Sequence, residues 1–211
     1  MGIISRQIGW SQESNLLWQI LKQLNKLTSI MFGLKPKYKV FTALLTQSGG
    51  DNTLSINTGN LTIGTTYIIN DFSEGMDFTN VGAPNNNTGT YFIATATIPN
   101  NWGIDEGSAS ILQYNTGAPV AIVLENTIGN IWFTYVDIGY YQLSSESLFT
   151  RLKSTSIMQT PIDSGDQTVP GLYTTYFGGE VVFYISTFKV SDISAVNDYL
   201  LNTFIEIRVY N

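Results

Sequence analysis

The chain has 211 residues, of which 43% are hydrophobic and 12% charged, and its net charge is −6. The hydrophobic share excludes a disordered chain, and the ten basic residues are spread too thinly to predict nucleic-acid binding. Cysteine and histidine are both missing, which excludes disulfides, Cys/His zinc sites, Ser-His-Asp triads and Cys-His dyads within the chain. No apolar run reaches about 18 residues, so we expect no insertion into a membrane.

Residues 11–32 carry the strongest helical pattern in the chain. Ser11 is a suitable N-cap, and Gly33 is suited to end the helix. Apolar side chains recur at alternating spacings of three and four, which is a coiled-coil seam. This seam predicts an oligomerisation interface made of Leu17, Ile20, Leu24, Leu27 and Met31.

The apolar stripe of this helix needs a cover, because it is too wide to remain in water. Leu16, Leu21 and Ile30 flank the seam and favour three helices over two. Sister copies, a partner, or the chain's own β body are the alternatives for that cover, and we favour sister copies.

Everything after Gly33 predicts a β-rich body, because β-branched and aromatic residues alternate between Gly- and Asn-rich turns. The fold class is therefore mainly β, with an N-terminal amphipathic coiled-coil helix, an antiparallel β-sandwich-like body and a trimeric assembly. Residues 127–130 predict a hairpin turn, and residues 191–202 fit either a short helix or a loop. The predicted strands are 38–46, 54–57, 66–70, 90–98, 109–114, 118–126, 131–135, 139–143, 172–177, 180–189 and 203–210.

Three regions follow from these patterns. Residues 1–33 form a helical segment for oligomerisation and attachment. Residues 34–144 form a β domain with an inserted β module at about 61–103. Residues 145–211 form a C-terminal β region.

Carboxylates are the remaining candidates for acid–base chemistry. A glycosidase needs two of them across a sugar, about 5 to 9.5 Å apart. The candidate groups all lie in Gly-, Asn- or Ser-rich stretches, where aspartate is expected for turn geometry, and no EF-hand spacing is present. We therefore predict no catalytic, cofactor or metal site from Asp71, Glu74, Asp77, Asp105, Glu106, Asp163 and Asp166.

Aromatic residues offer a second kind of site. Tyrosine and tryptophan on a β surface can stack on sugar faces or anchor a protein interface. Most of them are expected to be core or interface residues. The candidates for ligand contact are Trp102, Tyr140, Tyr141, Tyr173 and Tyr176.

Several stretches resemble small virion structural proteins of phages that infect Bacteroidetes hosts. They are SRQIGWSQESNLLWQILKQLNKL near the start, YKVFTALLTQSGG, APVAIVLENTIGNIWFTY and the closing IEIRVYN. LTIGTTYIINDF, with the following residues up to Trp102, resembles a module inserted in many phage structural proteins.

The resemblance implies a non-enzymatic virion protein, most simply a trimeric head fibre that decorates the capsid. A tail-associated adhesin that recognises a host surface glycan is the alternative, and a carbohydrate-active enzyme is a third hypothesis. The expected partners are copies of the chain, other virion proteins such as the capsid and, in the alternative, the glycan. The expected location is the virion, assembled in the host cytoplasm. Attachment to the particle is assigned to Ile3, Ile4, Ile8 and Trp10.

Overall fold

Antiparallel β-strands make up most of the protein in the computed structural model, which describes residues 38–103, 112–149, 154–159, 168–177, 180–189 and 192–210. These residues contain no α-helix, and their one helical turn is the 3-10 turn Thr79–Val81. The strands are β1 (Tyr38–Thr46), β2 (Thr53–Ile56), β3 (Thr66–Ile69), β4 (Tyr91–Ile93), β5 (Leu112–Asn115), β6 (Val120–Asn126), β7 (Ile131–Asp137), β8 (Tyr140–Ser145), β9 (Ser154–Gln159), β10 (Thr168–Phe177), β11 (Glu180–Lys189) and β12 (Thr203–Tyr210).

Two four-stranded sheets share one hydrophobic core, which we call the large core. Their strand orders are β6–β1–β12–β9 and β10–β11–β8–β7. Alternate residues of β1, β7, β8, β11 and β12 point inward, as the two-residue period of a strand requires. Among the fully buried side chains of the large core are Phe41, Phe133, Tyr141, Phe183, Ile185 and Ile207. The mainly β, antiparallel character predicted from the sequence is confirmed.

A third sheet, in the order β2–β5–β3–β4, covers a second cluster, which we call the small core. Residues 61–103, predicted as an inserted module, supply β3, β4 and most of this cluster. Strands β2 and β5 come from either side of that stretch. The small core contains Leu61, Tyr67, Phe78, Val81, Phe92 and Leu112.

Strand β4 joins the two cores. Phe92 is buried in the small core, whereas its neighbour Ile93 is buried in the large core. A second joint lies at Gly64, whose carbonyl accepts a hydrogen bond from the Ala121 N–H of β6 at 2.9 Å. The small sheet is therefore attached to the large sheets at fixed points.

The prediction of a hairpin turn at residues 127–130 is wrong, because the strands on either side do not pair with each other. Strand β6 pairs with β1, and strand β7 pairs with β8 in the other large sheet. The segment crosses between the two layers, and the buried Ile128 packs in the large core. The segment does turn, because Asn126 Oδ1 accepts hydrogen bonds from the N–H groups of Ile128 and Gly129.

Two strand boundaries differ most from expectation. The strand predicted over 90–98 ends at Ile93, and soon after it the chain leaves β3, because the Thr95 N–H donates to the carbonyl of Val81. Strand β10 begins at Thr168, inside a stretch that reads as a loop over 161–171. Strand β9 had no predicted counterpart.

Residues 192–202, left open between a helix and a loop, form a loop. Ile193, Asp198 and Asn202 have positive φ angles, which a helix does not accommodate. The buried Leu200 anchors the loop in the large core.

The C-terminal strands share both large sheets with the earlier ones. Strand β12 pairs with β1, and strand β11 pairs with β8. Residues 34–144 and 145–211 therefore contribute to one core within the described residues.

Candidate functional site

A groove separates one face of the small sheet from the outer face of β7 and β8, and its volume is about 880 Å³. This volume falls in the range of about 300–1,000 Å³ that is usual for small-ligand sites. Its lining includes Ile68, Tyr91, Gln113, Tyr114, Asn115, Trp132, Thr134, Tyr135, Gln142, Ser144 and Glu146.

The first wall follows from the alternation of β7 and β8. Phe133 and Leu143 point into the large core and are fully buried. The neighbours of these two residues along each strand point the other way and line the groove. Two cross-strand pairs form this wall, Trp132 with Ser144 and Thr134 with Gln142.

The second wall follows from the same alternation in the small sheet. Tyr67, Phe92 and Leu112 are buried in the small core. The intervening side chains stand next to each other on the opposite face, because Ile68 pairs with both Tyr91 and Gln113. All three line the groove.

Hydrogen bonds hold the two walls together. The Phe133 N–H of β7 donates to Thr66 Oγ1 of β3 at 3.1 Å in a buried position. Asn130 Nδ2 donates to the Tyr91 carbonyl of β4 at 2.9 Å. Because these bonds connect the walls directly, the groove is part of the folded framework.

An aromatic pair spans the two walls. Tyr91 of β4 and Trp132 of β7 stack with ring centroids 5.3 Å apart and ring planes inclined by 11°. The stack uses one face of each ring, and both side chains are only half-buried. The groove thus presents a rigid apolar surface beside its amides and hydroxyls.

The charge of the groove is slight and negative. Glu146 is its one ionisable carboxylate among the described residues, and the lining includes no lysine or arginine. Asn130 Nδ2 donates to Glu146 Oε1 at 3.2 Å, which holds this carboxylate at the exposed edge of the site.

The candidate acids lie away from this groove or outside the described residues. Asp77 is a turn residue, since its carboxylate accepts hydrogen bonds from the N–H and the hydroxyl of Thr79 and from Asn100 Nδ2. The hydrogen bonds from Thr79 and Asn100 hold the pKa of the Asp77 carboxyl well below its usual range. Asp71 and Glu74 are exposed loop residues that do not line the groove. Asp105, Glu106, Asp163 and Asp166 lie outside the described residues.

Two of the candidate aromatics belong to the interior. Tyr141 is fully buried in the large core, and its hydroxyl donates to Asn197 Oδ1 at 3.1 Å. Burial raises the pKa of that hydroxyl. Trp102 packs edge-on against Phe78 at the small core. Tyr141 is therefore one of the expected core aromatics and is removed as a ligand candidate, because strand alternation turns its ring inward.

The remaining candidates are three tyrosines and the residues predicted for oligomerisation and attachment. Tyr140 is half-buried beside Tyr184, and it does not line the groove. Tyr173 and Tyr176 lie on β10, of which the backbone is described. The predicted oligomerisation residues (Leu17, Ile20, Leu24, Leu27 and Met31) and attachment residues (Ile3, Ile4, Ile8 and Trp10) lie outside the described residues.

Sequence reasoning missed the groove residues Tyr91, Gln113, Trp132 and Gln142. Their strands were predicted, and the alternation in IWFTY and YYQL carries the signal of one polar and one apolar face. The sequence gives no sign that β3 and β7 lie opposite each other, joined by the bond from the Phe133 N–H to Thr66 Oγ1 across 67 residues.

No family model, no curated protein and no solved structure matches this chain. Within the described part of the chain, no cluster of three or more acidic, histidine or cysteine residues is arranged to hold a metal ion. That same part holds no helix with the length and hydropathy needed to span a bilayer.

Proposed function

We propose that the protein is a fibre-forming structural protein of a phage virion and that its β body binds a glycan on the host surface. The resemblance of its sequence motifs to phage virion proteins supports the first part. The antiparallel β body with few charged residues is compatible with it. On this proposal the protein resides in the assembled virion.

The groove is the observation that supports glycan binding. Saccharides present apolar C–H faces together with many hydroxyl groups. A stacked Tyr91–Trp132 pair beside the Gln113 and Gln142 amides matches both features. This match favours the adhesin over a fibre that only decorates the capsid.

Binding without hydrolysis is the simpler reading of the site. Glycoside hydrolysis uses two carboxylates across the sugar, whereas Glu146 is the one carboxylate that lines the groove among the described residues. Incubation with host capsular polysaccharide tests this point, and release of saccharide would overturn the non-enzymatic proposal.

A glycan array probed with the full-length protein tests the proposed function. We expect binding to a restricted set of glycans and loss of that binding in Trp132→Ala. Phe72→Ala is the matched control, because Phe72 is 53% exposed and does not line the groove. Absence of any binding would reject the adhesin in favour of a decorating fibre.

A head fibre without a glycan ligand is the second candidate, and strand β6 favours it. β6 is the edge of its sheet, and Ile122 and Leu124 are 57% and 56% exposed. An exposed apolar edge strand is usually covered by another protein surface. Capsid or other virion proteins are the proposed partners for this edge.

Assembly as a homotrimer through the predicted N-terminal helix is part of both candidates. Leu24→Asp places a charge in the proposed seam and should dissociate the oligomer. Lys22→Asp, on the opposite side of the predicted helix, is the control and should leave the number of chains in the assembly unchanged. A soluble trimer formed by Leu24→Asp, measured by native mass spectrometry, would refute the seam.

A further inference from the structure

We infer that the groove between the small sheet and the β7–β8 face is a binding site for a neutral oligosaccharide. In this site Trp132 and Tyr91 form the stacking surface, and the Gln113 and Gln142 amides form hydrogen bonds with the hydroxyl groups of the sugar. The inference rests on the proposed glycan-binding function and adds to it the charge class of the ligand and the roles of these four side chains.

The polarity of the two walls is the first step. Sheets that pack face to face normally bury apolar side chains between them. Here Gln113 and Asn115 stand on one wall, and Thr134, Gln142 and Ser144 stand on the other. Two faces that carry amides and hydroxyls beside aromatic rings, held apart around an open groove, suit a ligand with many hydroxyl groups.

The amides have capacity for such a ligand. Gln142 Nε2 donates to Ser144 Oγ at 2.7 Å, which orients the side chain. An amide carries two donor hydrogens and an acceptor oxygen. Gln142 can therefore hold its place in the wall and still bond a sugar hydroxyl.

The aromatic pair supplies the apolar contact that a sugar ring needs. Trp132 and Tyr91 are fixed by their mutual stack and by the backbone of β7 and β4. Because neither ring must be ordered on binding, little conformational entropy is lost at this surface.

The charge of the lining selects a neutral ligand. Acidic sugars and phosphates are recognised chiefly by arginine and lysine. The groove lining contains neither, and it includes the carboxylate of Glu146. The chain also has a net charge of −6. An acidic saccharide would therefore meet repulsion without a compensating cation.

A peptide strand is a less suitable ligand for this groove. Extended peptides bind by adding to a free sheet edge. The walls of the groove are sheet faces, and β7 and β3 are connected by the Phe133–Thr66 hydrogen bond.

Isothermal titration calorimetry on the full-length protein tests the inference. Maltotriose, cellotriose and N,N′,N″-triacetylchitotriose are the neutral probes, and trigalacturonic acid is the acidic probe. We expect at least one neutral probe to bind at least about tenfold more tightly than the acidic one.

Variants locate the site. Trp132→Ala should weaken binding of the neutral probe by at least about tenfold, and Gln113→Leu by about threefold to tenfold. Phe72→Ala should leave the affinity unchanged. If Trp132→Ala fails to fold, Trp132→Phe and Gln113→Leu carry the test, with folding checked by thermal unfolding.

Three outcomes overturn the inference. Tighter binding of trigalacturonic acid contradicts the neutral class but keeps the proposed glycan-binding function. Neutral binding that is unchanged in Trp132→Phe and Gln113→Leu contradicts the location. Absence of neutral binding also removes the inference, and the glycan array then decides the proposed function by itself.

Discussion

The large core and the small core differ in how their strands are joined. The large core is closed by long ladders between distant segments, such as the pairing of Tyr38 with Tyr210. The small core has strands of three or four residues. Its loops are closed by asparagine side chains, as where Asn80 Oδ1 accepts from the Asn100 N–H and Asn86 Oδ1 accepts from the Phe78 N–H.

This difference explains why the polar loop between β3 and β4 is a poor place to look for chemistry. Its Asp and Asn side chains satisfy backbone groups that short strands leave unpaired. The side chains with capacity for a ligand lie instead on strand faces, in the groove where the two regions meet. The variants below test the large core, the joint between the regions and the small core's loops in turn.

Phe133→Ala should have the largest effect, because Phe133 is fully buried in the large core. We expect a loss of about 3–5 kcal/mol in the free energy of unfolding. Urea denaturation measures it, with Phe72→Ala as an exposed aromatic control. A loss below about 1 kcal/mol would contradict the assignment of Phe133 to the core.

Gly64→Ala tests the joint to β6. Gly64 has a φ of +85°, and an added Cβ would collide with the Ala121 carbonyl. Gly59→Ala is matched in backbone conformation, with a φ of +91° and open space around the added Cβ.

We expect Gly59→Ala to cost about 1 kcal/mol in the free energy of unfolding, because a left-handed conformation is strained for alanine. Gly64→Ala should cost about 2 kcal/mol more, because the clash adds to that strain. Equal losses in thermal unfolding would show that the joint at Gly64 is not tightly packed.

Thr66→Val tests the hydrogen bond between β3 and β7. The substitution leaves the buried Phe133 N–H without its acceptor, which should cost about 1–3 kcal/mol. Thr58→Val changes an exposed threonine and should be nearly neutral. Urea denaturation of both variants decides whether this bond holds the walls together.

Asp77→Asn should have the smallest effect, confined to a defined pH range. The folded pKa of Asp77 is lowered by the hydrogen bonds from Thr79 and Asn100. Its stabilising contribution is therefore fully present above the unfolded pKa of about 3.9 and is lost as the pH falls through the folded pKa.

The difference in melting temperature between the unmodified protein and Asp77→Asn should accordingly be largest near neutral pH and shrink in acid. Glu74→Gln, at an exposed neighbouring acid, is the control. A difference that grows as the pH falls would contradict the sign of the shift.

Local sequence patterns were sufficient to predict most strands. The bounds of β1, β11 and β12 agree with the predicted ranges, because alternation and flanking turn residues mark them clearly. The failure at residues 127–130 has a different origin. A turn sequence fixes the local backbone, whereas the choice of sheet for β7 depends on its pairing with β8 and on its contact with the distant β3.

The groove was beyond prediction for the same reason. Alternation shows that Trp132 and Gln142 share a face with polar neighbours, but it does not show what lies opposite that face. Gln47 is a further example: it is buried, donates to the Gly117 carbonyl and accepts from the Asp198 N–H, and nothing local in the sequence signals these bonds.

The most direct test of the central claim is an NMR titration of the full-length protein with the neutral trisaccharide that binds most tightly. The chain has four tryptophans, and the indole N–H signal of Trp132 is assigned from Trp132→Phe. We predict that this signal shifts on titration while that of Trp102, packed against Phe78, does not. Binding that leaves the Trp132 signal in place would contradict the assignment of the groove as the glycan site.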